Sequence, residues 1–436
     1  MTDQPLWTPS PERIEATQVM AFLRETNRRH GLRLASYADL HGWSIANPDL
    51  FWDQLWDFCG VIGEKGARRA TELEAMPGAK FFPDAKLSFA ENLLRRSDDR
   101  DALVFRGEDK GSDRMSYGQL AALVSRLQQA LKAQGVGVGD RVAGMMPNRP
   151  ETVAAMLATT SIGAVWSSCS PDFGERGVLD RFGQIEPKVL FTVDGYWYNG
   201  KEQRIGDKLR AVVDQLTSLK AVVVVPYLGQ AKEVAATLPR AMTLDQATEP
   251  YKPRPLTFER LPFNHPAYIM FSSGTTGVPK CIVHGAGGTL LMHLKEHRLQ
   301  CDVREGDRVF YFTTCGWMMW NWLASGIASG ATLILYDGSP FAPNPSVLWD
   351  YAQAERVTLF GTSAKYIDAC HKEGLEPAKT HDLSSIKLIT STARPIPGAW
   401  ISPFQIGEVG SPSTKHPIIS VPPDIEVSGT SDLIER

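Results

Sequence analysis

Paired cysteines are what this chain most plainly lacks. Its six, Cys59, Cys169, Cys281, Cys301, Cys315 and Cys370, are scattered through 436 residues without a CxxC spacing. That excludes a disulfide-stapled scaffold or a cysteine zinc site and fits reduced, intracellular thiols, so a cytoplasmic protein is expected. Charge of one sign is missing too: 46 Lys and Arg stand against 49 Asp and Glu, a net charge of -3, with no long basic run. Nucleic acid is therefore not an expected partner. Residues 1–15 hold acidic residues and prolines but no apolar core, so no signal peptide is expected. No repeat of solenoid type is present, and nothing sets an oligomeric state. The length suits two or three domains.

One stretch has the length of a membrane span. Gly316 to Tyr336 is largely apolar and carries Gly326 and Gly330 at the spacing of helix-pairing motifs. Its glycines, Asn321, and the change at Ala331 to β-like Thr332-Leu333-Ile334-Leu335-Tyr336 predict instead a buried helix followed by a buried strand. No membrane partner is expected.

Elsewhere helix and strand alternate. Ser116 to Gln134 has helical spacing and ends at Gly135, and Asp140 to Met146 follows as a strand. Pro150 opens a helix to about Ile162, ahead of a strand over Ala164 to Ser168. A helix over Gly177 to Ile185, a strand over Lys188 to Val193, a helix over Ile205 to Leu219 and the β-branched Ala221 to Pro226 continue the pattern. Thr358 to Phe360, a helix over Ser363 to His371 and Ile386 to Thr390 repeat it. This order predicts an α/β fold with mostly parallel sheets covered by helices on both faces.

The densest chemistry sits in Phe271-Ser272-Ser273-Gly274-Thr275-Thr276-Gly277-Val278-Pro279-Lys280, directly behind the apolar run Tyr268 to Phe271. Glycines let backbone N–H groups turn inward, hydroxyls donate to phosphate oxygens and a lysine adds a point charge, so the string is suited to a polyphosphate. It is not a Walker A loop, because its glycines are three apart and Lys280 precedes Cys281. Taken alone, a Ser/Thr/Gly-rich turn after a strand is equally compatible with a plain loop.

The string resembles the phosphate-loop motif of the adenylate-forming enzymes, the superfamily of acyl-CoA synthetases, luciferases and peptide-synthetase adenylation domains. Phe51-Trp52-Asp53, Lys80-Phe81-Phe82-Pro83 and Leu87 to Leu94 resemble the N-terminal segment of acetyl-CoA synthetase relatives. The runs Trp166 to Gly174, Asp194 to Lys201 and Thr313 to Asn321 are most similar to the acetoacetate-activating branch. The resemblance reaches about Thr392. It implies an N-terminal segment over 1–97, an incomplete AMP-dependent synthetase/ligase domain over 98–392, and a non-family, disordered or foreign tail over 393–436.

The resemblance also implies activity and site residues. ATP, with Mg2+, drives formation of an acyl adenylate from acetoacetate, pyrophosphate leaves, and coenzyme A takes the acyl group as AMP departs. Ser272, Ser273, Gly274, Thr275, Thr276, Gly277 and Lys280 would hold the β- and γ-phosphates of ATP. Trp317, Met318 and Met319 would line the acyl pocket, where the bulk of Trp317 and Met318 points to a short acid. Core packing is the other reading of those residues. Lys201 and Thr358 fall at coenzyme A contacts of the relatives, although relatives carry arginine at the first position and often asparagine at the second. The family's catalytic lysine and its C-terminal domain have no counterpart here, so the chain is expected to be inactive by itself. The alternatives are a ligase for acetate, propionate or butyrate, and a non-catalytic nucleotide-binding remnant.

Two further features are read as structural. His293 and His297 lie four apart and could share a face with His284, yet without a third ligand they predict a surface helix or local hydrogen bonding rather than a metal site. Cys315 has no histidine beside it to activate it as a nucleophile.

Overall fold

The computed structural model describes residues 9–75, 77–272 and 277–392. Ser273, Gly274, Thr275 and Thr276 of the predicted phosphate loop, and the whole of 393–436, lie outside the described residues.

Two sheets form the frame. The seven-stranded sheet runs Ala241–Thr243, Ala221–Val225, Val189–Val193, Arg141–Met145, Val165–Cys169, Pro266–Phe271 and Cys281–Gly285, all neighbours parallel except the last pair. The six-stranded sheet runs Leu388–Thr392, Leu359–Ser363, Arg308–Tyr311, Thr332–Asp337, Asp101–Gly107 and Gly111–Ser116, again parallel up to its antiparallel edge. The expected α/β class with mostly parallel sheets is therefore observed.

Local chemistry explains the element ends. Ser116 closes a capping box with Gln119, its hydroxyl accepting from the Gln119 N–H at 3.2 Å while its own N–H donates to the Gln119 side chain at 2.8 Å, and the helix runs Tyr117–Ala133. Pro150 starts a helix to Ser161 in which nearly every residue is buried. The all-valine core of Ala221–Val225 is buried throughout, as befits a parallel strand covered on both faces. The helix expected to reach Leu219 stops at Gln215, because Leu216 leaves helical geometry at ψ 77. A hairpin, Gly195–Tyr198 with Lys201–Arg204, was not predicted as strands. Its four-residue arms are too short for a periodic signal.

The apolar run behaves as expected: a helix Met318–Ser325, a 3-10 turn Gly326–Ser329 and a buried strand Thr332–Asp337. Among the described residues no helix is long and apolar enough to cross a membrane.

The histidine helix has one exposed face, with Met292 39% exposed, but the two histidines lie on its inner face, 2% and 0% exposed. The His293 Nδ1 lies 2.8 Å from the Ser325 hydroxyl, and the His297 ring packs 4.1 Å from Trp322. Burial drives His293 well below its ordinary pKa and His297 down to about 3, so both are neutral packing groups. Their helix, Ala286–Lys295, continues into a π-helical turn, Glu296–Gln300, on which the N-terminal helix Gln18–His30 docks.

Candidate functional site

Residues at the carboxyl ends of two strands of the larger sheet, Ser168 and Phe271, share one crevice with Cys315 and Gly316, which follow the strand Arg308–Tyr311 of the other. Open α/β sheets bind ligands at such ends. Two adjacent serines of the strand Val165–Cys169 fix its sides. Ser167 Oγ donates to the Ile269 carbonyl at 2.9 Å, on the strand that leads into the hydroxyl-rich loop. Ser168 Oγ donates to the Cys315 carbonyl at 2.8 Å, in the segment expected to line the acyl pocket.

The loop joins the antiparallel strands Pro266–Phe271 and Cys281–Gly285 and is therefore the tip of a hairpin. Its base is latched twice: the Ser272 N–H donates to the Lys280 carbonyl and the Lys280 N–H to the Ser272 hydroxyl, both at 3.0 Å. Gln184 of the helix Glu175–Ile185 braces it by donating to the Pro279 carbonyl at 2.8 Å. Gly277 has φ 149, left of ordinary L-residue space, and a Cβ there would meet nothing. Lys280 is exposed and makes no ion pair with the described residues, so its ammonium is available to an anion.

On the facing side, Asn148 organises the acyl segment. It follows the strand Arg141–Met145 in the turn Pro147-Asn148-Arg149-Pro150 and is 1% exposed. Its Oδ1 accepts from the Trp320 indole N–H at 2.9 Å, and its Nδ2 reaches the Tyr336 carbonyl at 3.4 Å. Cys315 is sealed behind this wall with its thiol 3.2 Å from the Pro147 carbonyl, and burial pushes its pKa well up, consistent with a packing role. Asn321 and Gly316 border the narrow floor with Trp166, Ser168 and Phe271.

Trp317 and Met318 are placed at the start of the helix Met318–Ser325, 65% and 39% exposed, next in sequence to Gly316 of this floor. Met319 packs partly into the core. Among the described residues the three do not enclose a pocket by themselves.

Lys201 is exposed at the tip of the hairpin Gly195–Arg204. The turn beneath it is held by Glu108, a fully buried residue whose carboxylate accepts from the N–H groups of Asn199 at 2.6 Å, Gly200 at 2.8 Å and Ser339 at 2.8 Å. Thr358 stands apart. It precedes the strand Leu359–Ser363, at the amino end of the sheet, and its hydroxyl is spent on the Arg308 N–H at 2.9 Å and carbonyl at 3.2 Å. Asn148, Ser167, Ser168 and Glu108 were not singled out in the sequence. Only Asn148 carried a local signal, a polar residue between two prolines after a buried strand.

The chain belongs to the AMP-binding enzyme family, which it matches over residues 89–407, and residues 37–93 match the acetyl-coenzyme A synthetase N-terminus. It is 59% identical over 394 residues to acetoacetyl-coenzyme A synthetase of Rhizobium meliloti (strain 1021), covering 90% of this chain and 60% of that protein. A malonamoyl-CoA synthetase of Penicillium aethiopicum is 39% identical over 421 residues, 90% of this chain and 58% of its own length. The solved acetoacetyl-CoA synthetase from Streptomyces lividans superposes with a TM-score of 0.87 at 41% identity, covering 92% of this chain and 62% of that one. The chain thus spans about 60% of the length of the curated relatives it matches.

Proposed function

We propose that this chain carries the ATP- and acid-binding side of an AMP-forming acetoacetate–CoA ligase. The observation that supports it most directly is the pair Ser167 and Ser168, which sets a hydroxyl-and-lysine hairpin and an acyl-lining segment on the two sides of one crevice. In this reading Ser272 and Lys280, with Ser273, Gly274, Thr275, Thr276 and Gly277 between them, hold the β- and γ-phosphates of ATP. A carboxylate is a poor acyl donor. Its attack on the α-phosphate gives an acyl adenylate and releases pyrophosphate, whose charge the hairpin offsets through Lys280 and its hydroxyls.

Among the described residues no group of three or more His, Cys, Asp or Glu could hold a metal. Mg2+ would enter with the nucleotide and would add positive charge beside Lys280 at the phosphates. Trp317 and Met318 limit acid length, and Met319 supports them from the core. Lys201 meets the phosphates of coenzyme A from a turn kept rigid by Glu108. Thr358, spent on Arg308, has no hydroxyl to offer the thiol substrate. The domain division at residues 97 and 392 belongs to the same reading, as do a cytoplasmic location and the absence of nucleic-acid and membrane partners.

Pyrophosphate exchange tests it, in the 436-residue chain and in a fusion supplying the length present only in the relatives. Exchange dependent on acetoacetate, and weaker with acetate, propionate, butyrate and malonamate, is expected of the fusion. Exchange with none of these acids would remove the proposal, and a preference for another of them would change its substrate.

A further inference from the structure

A second basic cavity lies away from the crevice. It opens before the amino ends of the strands Arg308–Tyr311 and Thr332–Asp337, has a volume of about 360 Å3, and sits between the N-terminal helices and the turn at Ser329. Arg95, Arg96, Arg298 and Arg304 line it. Two of these are balanced: Arg96 meets Asp98 at 2.7 Å and Glu305 at 2.6 Å, and Arg304 meets Asp302 at 3.1 Å. Glu305, the carboxylate on the wall, is further engaged by Arg100 at 2.7 Å.

Arg95 and Arg298 have no carboxylate among the described residues. Arg95 donates to the Asn92 carbonyl at 2.9 Å, the Asn92 Oδ1 at 2.7 Å and the Cys59 carbonyl at 3.2 Å. Arg298 donates to Gln18 Oε1 at 3.0 Å and the Phe58 carbonyl at 3.4 Å, with its guanidinium over the Phe58 ring. These neutral acceptors fix both side chains in place and leave two positive charges that repel each other. Holding like charges together is unfavourable unless an anion shares them.

We propose that this cavity binds the dianionic phosphate group of a small molecule, with Arg95 and Arg298 supplying the charge. Arginine suits the task because its planar fork matches phosphate oxygens. Arg298 already holds Gln18, 280 residues away, and a phosphate bound beside them stabilises the folded chain by mass action.

Titration calorimetry and thermal melting of the 436-residue chain test this, with inorganic phosphate as probe and chloride holding ionic strength constant. A saturable heat and a rise in Tm are expected, and glycerol phosphate in a parallel arm distinguishes a phosphate monoester from the free ion. Arg298→Gln and Arg95→Gln should each weaken binding at least about tenfold, and Arg298→Lys less than Arg298→Gln. Lys280→Met, on the ATP hairpin, should leave it unchanged. Absence of saturable binding overturns the proposal, as does unaltered binding in whichever arginine variants fold. Loss of binding in Lys280→Met would instead assign the phosphate to the hairpin.

Discussion

Ser272 and Lys280 are joined by two hydrogen bonds across the mouth of the hairpin loop, one from backbone to backbone and one from the Lys280 N–H to the Ser272 hydroxyl, both at 3.0 Å. The latch fixes the direction in which the chain leaves and re-enters the loop, while the Lys280 side chain remains exposed. Preorganised donors of this kind cost little reorganisation when charge develops near them.

Lys280→Met in the full-length fusion should therefore lower acetoacetate-dependent pyrophosphate exchange by roughly one to three orders of magnitude. Its Tm should stay close to that of the parent, because an exposed substitution usually changes stability by less than about 0.5 kcal/mol. Ser272→Ala, which keeps the backbone bond and loses the hydroxyl one, should fall between parent and Lys280→Met. Parental exchange in Lys280→Met would exclude the phosphate assignment.

Acid length is the next point of test. Met318 is 39% exposed, two residues from Gly316 of the floor, while Met319 packs against the core. Met318→Gly should raise kcat/KM for acids one or two methylenes longer than acetoacetate, each methylene being worth on the order of 1 kcal/mol. An unchanged order of preference would place the limiting wall elsewhere.

Stability should carry the signature of Asp337. Burial raises its carboxyl to about 7, against the Tyr227 hydroxyl, the Arg149 guanidinium and the Asn148 N–H, which favour the anion, and Asp172 acts as a minor like charge. The folded chain keeps this proton up to about pH 7, whereas the unfolded chain releases it near the ordinary aspartate value of about 3.9. The contribution is thus complete below pH 4 and lost as pH rises through 7. Asp337→Asn should flatten this part of the pH profile of Tm and raise Tm at pH 8 relative to the parent. An Asp337→Asn profile parallel to the parent's between pH 5 and 8 would contradict it.

Gly361 is cross-strand partner to Tyr311, and a Cβ on it would lie 2.1 Å from that ring. The ring cannot swing away freely, since its hydroxyl donates to the Thr362 carbonyl at 3.0 Å. Gly361→Ala should destabilise by ~1–3 kcal/mol through overpacking, read as a fall of several degrees in Tm. Gly361→Ala with Tyr311→Leu should recover part of the loss. Additive losses in the double variant would mean that the two positions do not clash.

Much of this was legible in the chain. Buried strands announced themselves through short apolar runs, of which Ala221–Val225 is the plainest, and helices through the apolar spacing from Ser116 to Gln134 and through Pro150. The phosphate hairpin was visible because its hydroxyls, glycines and lysine are contiguous. Of the two readings of the histidine pair, local hydrogen bonding holds for His293; the burial of both rings was not legible because their cover comes from Trp322 and Ser325, on another helix.

By itself, then, the sequence determined the α/β class, the order of its elements and the chemistry of the loop, all properties of neighbouring residues that periodicity and composition record. Tertiary structure alone decided that Asn148 would hold Trp320, 172 residues away, that Ser168 would hold Cys315, 147 away, and that Glu108 would hold the turn beneath Lys201. It also decided that Arg95 and Arg298 would share a cavity without a carboxylate to balance them. Each of these depends on which surfaces meet when the sheets and helices pack. A single buried polar partner brought from a distant segment leaves no period in the chain by which to find it.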